Sequence, residues 1–478
     1  MKYFVPSILL LIACTQGFAA AASEGGSAGA APVQSLCATV LEQDDFMAGS
    51  TALEVLARQA CGAQPDLCLP DAANRRAFLG LNAELLKESS HISRAALEGF
   101  FKQGPQPNQC EFYELGYIFD TLLLKHLSDS VCADARSALE KVQRLTDWTF
   151  DHVAVSSPLQ KRRARSTPVY PLDIIEQGHG LGFQVSWALA ALVQQQGLAA
   201  ALAYVPKAEG AALAPVLVLV FLEDGSVFID PVRGLVWQDP ATRTPIGISE
   251  AQKRPKLVAG LHSQYGSAMA GAVSRASFRI PYHPLALQPK MKTVQSVLAE
   301  TCAVHPLLYI DLARAHTVFG HLFCKVETLQ NFSYNPELME FTLPGRSYAC
   351  SVWLLPLVQL FAVGMQDAPL YREARRMHLR GAHDQASLRY RRALAAVDEA
   401  EQRAELTFFL GLLEFDRKDY TKAAFTLQRY LDRHYTSRRD QVCYLLARIY
   451  RLSGDRQKSA AFMERLHGNP RYERFLRR

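Results

Sequence analysis

Residues able to do acid–base or nucleophilic chemistry are sparse in this 478-residue chain. His179 sits between two glycines in Gln177-Gly178-His179-Gly180, where the backbone can approach a ligand closely. Asp230 closes an apolar stretch just before Pro231. His179 is a candidate base or ligand, with a hydrogen-bonded loop histidine as the structural alternative. Asp230 could orient an imidazole but activates nothing alone, and Asp230-Pro231 also reads as a strand-ending turn. His283 and His305 each precede a proline and read as turn residues. No Cys-x-x-Cys, His-Glu-x-x-His, phosphate-loop or dinucleotide pattern occurs, so the sequence assigns no metal and no cofactor.

The elements that must position these groups follow in order. Leu139 to Val155 has the spacing of an amphipathic helix, and Pro171 to Gly182 is a glycine-rich turn. Phe183 to Gln196 is a run of helix formers stopped by Gly197. Ala199 to Pro206 and Pro215 to Leu222 are strand candidates; the turn Glu223-Asp224-Gly225 leads to a third, Ser226 to Asp230. The unbroken apolar run in the second predicts a strand covered on both faces.

This series, from about Ala135 to Asp230, resembles a transglutaminase-like domain of the papain fold. The family places a cysteine at the start of the helix after the glycine turn, where the helix dipole lowers a thiol pKa. A histidine opens the next long strand, and an aspartate before proline orients it. Lining up the patterns puts Gly182 at the cysteine, Pro215 at the histidine and Asp230 at the aspartate. The resemblance therefore implies a scaffold whose thiolate chemistry is lost, with only the orienting acid left. It covers about a fifth of the chain.

Towards the C-terminus, Gly381, Ala386, Tyr390 and Ala393 begin a repeating pattern. Leu410, Gly411, Tyr420, Ala423, Leu427 and Tyr430 carry it on, followed by Leu446, Ala447, Tyr450, Gly454, Ser459, Met463 and Leu466. These positions resemble tetratricopeptide repeats, helical hairpins whose small residues lie where helices cross. An unrelated helical bundle is the alternative. Gly411, Ala423 and Ala447 are the expected packing positions, and protein partners are the expectation the resemblance carries. A charge at Ala423 is expected to unfold the array and leave the transglutaminase-like core intact.

Charge divides unevenly. From Tyr371 onward there are 24 Lys and Arg against 14 Asp and Glu, although the whole chain carries only +6. A basic array could meet anionic lipid or nucleic acid. Its charges alternate along helix faces, however, which reads as a solvated surface, and no nucleic acid is expected. The short run Lys161-Arg162-Arg163-Ala164-Arg165 reads as an exposed loop, better suited to a protease than to nucleic acid.

Lys2, the apolar stretch from Ile8, and Leu11-Ile12-Ala13-Cys14 resemble the signal and lipobox of bacterial lipoproteins, with Cys14 carrying lipid. The segment from Ala19 to Val33 suits a flexible tether, but it also offers sites for ordinary cleavage and soluble export. The apolar run Val352 to Met365 is too short to span a bilayer. Export agrees with the cysteines. Cys37, Cys61, Cys68, Cys110, Cys132, Cys302, Cys324 and Cys350 are disulfide candidates with connectivity open, and Cys443 is left free on a repeat helix.

The expected fold class is α+β, predominantly helical. A signal (1–22) overlaps a tether (15–35), followed by a helical cysteine-containing region (36–134). Then come the transglutaminase-like core (135–237), a mixed α/β extension (238–365) and the repeats (368–478). Three function classes stand: a non-catalytic binding or assembly protein of the cell envelope, a hydrolase or transferase using His179 and Asp230, and a cell-wall polymer binding module. The lipobox reading has a direct test. Labelled fatty acid should enter the wild-type protein and be absent from Cys14→Ser; a mature chain starting unmodified near Ala20 would mean soluble export.

Overall fold

The structure is a computed structural model that describes residues 112–156, 170–206, 216–261, 268–273, 275–281, 286, 289–301, 305–310, 332–334, 371–472 and 475. The helical cysteine-containing region expected over 36–134 lies outside the described residues as far as residue 111, as do Cys14, Cys37, Cys61, Cys68, Cys110, Cys302, Cys324 and Cys350.

Helix α1 (Phe112–Cys132), α2 (Ala138–His152) and α3 (Pro171–Gln177) all pack on α4 (Gly182–Gln195). The hydroxyl of Ser137 starts α2 by accepting from the Glu140 N–H at 3.1 Å. Pro171 opens α3, and Gly178 ends it in the left-handed conformation at φ 63°. Between them, β1 (Ala154–Val155) pairs in parallel with β2 (His179–Gly180). Every residue of α4 from Gln184 to Gln195 is buried. A helix apolar all round must have neighbours all round, and this one lies between the helical layer and a sheet.

That sheet runs in the order β6 (Leu235–Val236), β5 (Gly225–Asp230), β4 (Val216–Leu222), β3 (Ala200–Tyr204), β7 (Ser277–Ile280) and β8 (Phe332–Tyr334). All pairings are antiparallel except β7 with β8. Val218, Val220, Leu202 and Ile229 join Val185, Leu189 and Leu192 of α4 in one core. On the opposite face Leu217, Leu219 and Phe228 are equally buried, with Phe228 5.3 Å from the Trp237 ring. The strand expected to be covered on both faces is so covered, and each such side chain contributes roughly 1.5–3 kcal/mol by burial. Beyond the sheet, the extension contributes α5 (Ile248–Lys253), α6 (Pro255–Leu261), α7 (Ala268–Val273) and α8 (Pro289–Thr301). Pro255 and Pro289 each open a helix, the position at which proline starts one instead of breaking it.

Three helical hairpins complete the chain: α9 (Tyr371–Leu379) with α10 (His383–Ala396), α11 (Ala400–Asp416) with α12 (Tyr420–Asp432), and α13 (Arg439–Leu452) with α14 (Arg456–Glu464). Gly381, Lys418 and Gly454 stop the first helix of each hairpin at positive φ. In the last two, Asp419 and Asp455 cap the second helix by accepting from the Lys422 and Lys458 N–H groups. Ala386, Ala423 and Ser459 recur five residues after these stops and are buried at the helix crossings, as is Ala447. With 62% of the described residues helical, the fold is mixed α+β with helix predominating. Among the described residues, no helix is long and apolar enough to cross a membrane.

Gly411 shows how closely the hairpin helices approach. A Cβ there would lie 2.7 Å from Cδ2 of the fully buried Leu427. Gly411→Val should therefore destabilise the protein by about 2–3 kcal/mol through overpacking. Gly271→Ala, where an added methyl meets nothing within 4 Å, should be neutral or slightly stabilising. Urea denaturation of the two variants beside wild type checks the pair.

Candidate functional site

Gly182 is the first residue of α4, and the preceding Leu181 N–H donates to the Gln184 side-chain oxygen at 2.8 Å. A Cβ at Gly182 would meet only Val232 Cγ2, at 3.4 Å, so a thiol would fit where glycine supplies none. One turn further, the Ser186 hydroxyl is engaged with the Val216 carbonyl at 2.6 Å. Asp230 is buried at the end of β5; its carboxylate accepts from the Arg233 N–H at 3.1 Å and faces Arg233 Nε at 3.8 Å. The fold thus brings the Asp230 turn to the start of α4 through Val232, and the acid there holds a strand-ending turn. Pro215 lies outside the described residues.

His179 has a partner that its glycine-flanked setting did not reveal. Its Nδ1 lies 3.2 Å from the Ser156 hydroxyl. Burial, reinforced by Arg438 and opposed by Glu405, pushes its pKa down to about 4. Both of those charges belong to the hairpin array, so His179 faces the joint between the two halves of the molecule. A neutral imidazole of such low basicity makes a poor general base near neutral pH.

The joint is where most buried charge is concentrated. Glu176 of α3, 1% exposed, receives Arg372 and Arg376 from α9, each at 2.5 Å. Arg372 also reaches Asp173 at 2.5 Å. Burial alone would raise the Glu176 carboxyl, but the two guanidiniums outweigh it and hold the group below its usual range. Asp120 of α1 is served less well, with Arg376 at 3.7 Å, and burial pushes it up to about 7 despite that arginine. Arg438 pairs with Glu405 and also donates to the Gly178 and Gln177 carbonyls at 2.7 and 2.6 Å. Arg448 meets Asp151, and Arg471 donates to the Phe150 and Val153 carbonyls at 2.9 and 2.7 Å. Packing is as close: a Cβ on Gly178 would touch the Phe409 ring at 3.0 Å, and Phe150 of α2 belongs to the array's core.

A second bridge joins α2 to the array through Asp416, whose carboxylate lies between His152 Nε2 at 2.9 Å and His378 Nε2 at 2.7 Å. His378 Nδ1 faces Arg375 at 2.9 Å and must accept, so its Nε2 carries the proton to Asp416. Burial holds this ring neutral, with its pKa down to about 3. His152 faces Asp416 at Nε2 and the Trp148 carbonyl, 2.8 Å away, at Nδ1. Burial would raise Asp416, yet the two histidines hold it far below the usual carboxylate range.

Two expectations change. The array's arginines are not simply a solvated face, and the core's contacts do not lie elsewhere: disrupting the array at Ala423 would strip Glu176, Asp173 and Asp151 of their partners. Cys132 and Cys443 are buried, with Cys132 Sγ 3.8 Å from the Lys141 carbonyl, and the other disulfide candidates lie outside the described residues. The sequence signal for the joint was the basic excess of the array beside a slightly acidic remainder. Among the described residues, no group of three or more His, Cys, Asp or Glu side chains is placed to hold a metal ion. No protein-family model matches the chain, and no curated protein matches it.

The joint predicts cooperative unfolding. Arg438→Met removes the guanidinium from Glu405 and from the Gln177 and Gly178 carbonyls and should cost about 3–5 kcal/mol. Arg417→Met breaks only a pair with the exposed Asp384 and should cost about 0.5 kcal/mol or less. Denaturation followed by far-UV circular dichroism and by tryptophan fluorescence should give coincident transitions for both variants. Separate transitions would show that core and array unfold as independent units.

Proposed function

We propose that this is a non-catalytic binding or assembly protein of the cell envelope, a transglutaminase-like scaffold without its chemistry joined to a tetratricopeptide-like array. The observation that carries the reading is the start of α4. Glycine stands where the family's nucleophile would be, the nearest hydroxyl, Ser186, is tied to a backbone carbonyl, and Asp230 holds a turn. A thiolate attack needs sulfur and base within hydrogen-bond reach of each other, and Pro215 has no imidazole to offer. The binding half of the proposal has support on the array's outer surface. Leu388 and Phe425, each two residues after a buried repeat alanine, are 51% and 65% exposed at equivalent hairpin positions.

Wild-type protein should show no transamidase or thiol-protease turnover. Gly182→Cys should fold with near wild-type stability, react with an alkylating reagent at the new thiol, and still turn over neither amine-donor nor peptide substrates. Alkylation-sensitive turnover by either protein would sink the proposal. For the binding half, Phe425→Glu should leave the fold intact and reduce partner capture from envelope extracts; unchanged capture would move the binding surface off this array face.

A further inference from the structure

Away from the start of α4, a cavity of about 70 Å³ opens beside the body of that helix, bounded by Trp187, Leu124, Tyr170, Pro281 and Ile310, with Asp120 in its wall. A single water needs roughly 10–15 Å³ on this measure, so the space suits a molecule of several heavy atoms. Most polar groups around it are already occupied: Gln195 exchanges hydrogen bonds with the Leu307 backbone, and the Thr121 hydroxyl donates to the Tyr117 carbonyl.

Asp120 is different. It belongs to a cluster of three carboxylates, Asp120, Asp173 and Glu176, facing two guanidiniums, Arg372 and Arg376. Both arginines are committed to Glu176, and Arg372 also to Asp173, at 2.5 Å. Asp120 keeps the 3.7 Å contact and is 22% exposed. Among the described residues the cluster holds three carboxylates and two guanidiniums, and the carboxylate with the longest contact lines the cavity. Burial first, and then the neighbouring Glu176 and Asp173 charges, push its pKa up to about 7 against the pull of the two guanidiniums. The walls are aromatic as well, with the Tyr170 and Trp187 rings 6.5 Å apart, and aromatic faces attract organic cations.

We propose that this cavity binds a small organic cation, a primary alkylammonium whose head group pairs with Asp120 and whose chain lies against Trp187 and Tyr170. The ammonium adds a positive charge, and the apolar walls take the alkyl chain. An anion would meet the Asp120 carboxylate, and a neutral alcohol would gain the walls without the charge. The site is independent of whether the α4 start is catalytic.

The test is calorimetric titration of the full chain with n-butylammonium, n-butanol and butyrate. At about pH 8, butylammonium should bind saturably and butyrate should not. Binding should weaken about thirtyfold at about pH 5.5, where a carboxylate titrating near 7 must first lose its proton. The other charged and titratable groups facing Asp120 are Arg376 and Arg372 of α9, Asp173 and Glu176 of α3, and the phenols Tyr117 and Tyr170. Asp120→Asn should weaken butylammonium at least tenfold and leave butanol unchanged. Ala191→Leu, which fills the cavity without touching the charge cluster, should abolish binding and remains informative if the Asn variant misfolds. Equal affinity for butanol and butylammonium, unchanged affinity in either folded variant, or no saturable binding at about 10 mM would overturn the proposal.

Discussion

The burial of Glu176 between Arg372 and Arg376 is the interaction on which the two halves of this protein depend. Taken out of water alone, such a carboxylate would be protonated or would hold its segment open. The helix that carries it, α3, is only seven residues long and leads through Gly178 into the strand of His179 and then into the central helix. The charge that lets α3 lie flat comes from nearly 200 residues further along the chain. The same arrangement repeats at Asp151 with Arg448 and at the Gly178 carbonyl with Arg438. At these three places the core supplies acids and a carbonyl, and the array supplies guanidiniums. Arginine suits the task because its planar fork can serve a carboxylate and a carbonyl at once.

This joint also accounts for the behaviour of His179 as a site residue. A histidine between glycines is open to a ligand only if nothing packs over it. Here the array does so: Phe409 lies against Gly178, and Arg438 is close enough to disfavour the imidazolium. The polar groups around the start of α4 serve local structural purposes: Gln184 accepts from the Leu181 N–H, Ser186 donates to the Val216 carbonyl and Asp230 accepts from the Arg233 N–H. The cavity beside Asp120 draws instead on the opposite side of α4 and on charges shared with the joint.

Much of the local architecture was legible in the sequence. The helix after Leu181, the doubly covered strand Val216–Leu222 and the hairpin into Asp230 were marked by apolar runs and turn residues, and the repeat register by Ala386, Ala423 and Ser459. What remained hidden was long-range. Arg372 and Arg448 look like ordinary exposed helix charges until the fold shows which carboxylates they meet, because alternation along a helix says nothing about what packs against it. Asp120 was missed for the same reason: its environment is assembled from α1, α3, α4 and α9.

The order of the chain gives the joint one more consequence. Arg471 donates to the carbonyls of Phe150 and Val153, which precede it by 321 and 318 residues. During synthesis, α2 and α3 emerge long before that arginine and its companions, so their acids and carbonyls must wait, hydrated, for the final hairpin. The joint is therefore completed only once the third hairpin and Arg471 have emerged. A chain cut short within α13 or α14 would lose more than one repeat: it would leave the core permanently unfinished, an open and protease-sensitive intermediate rather than a smaller stable protein.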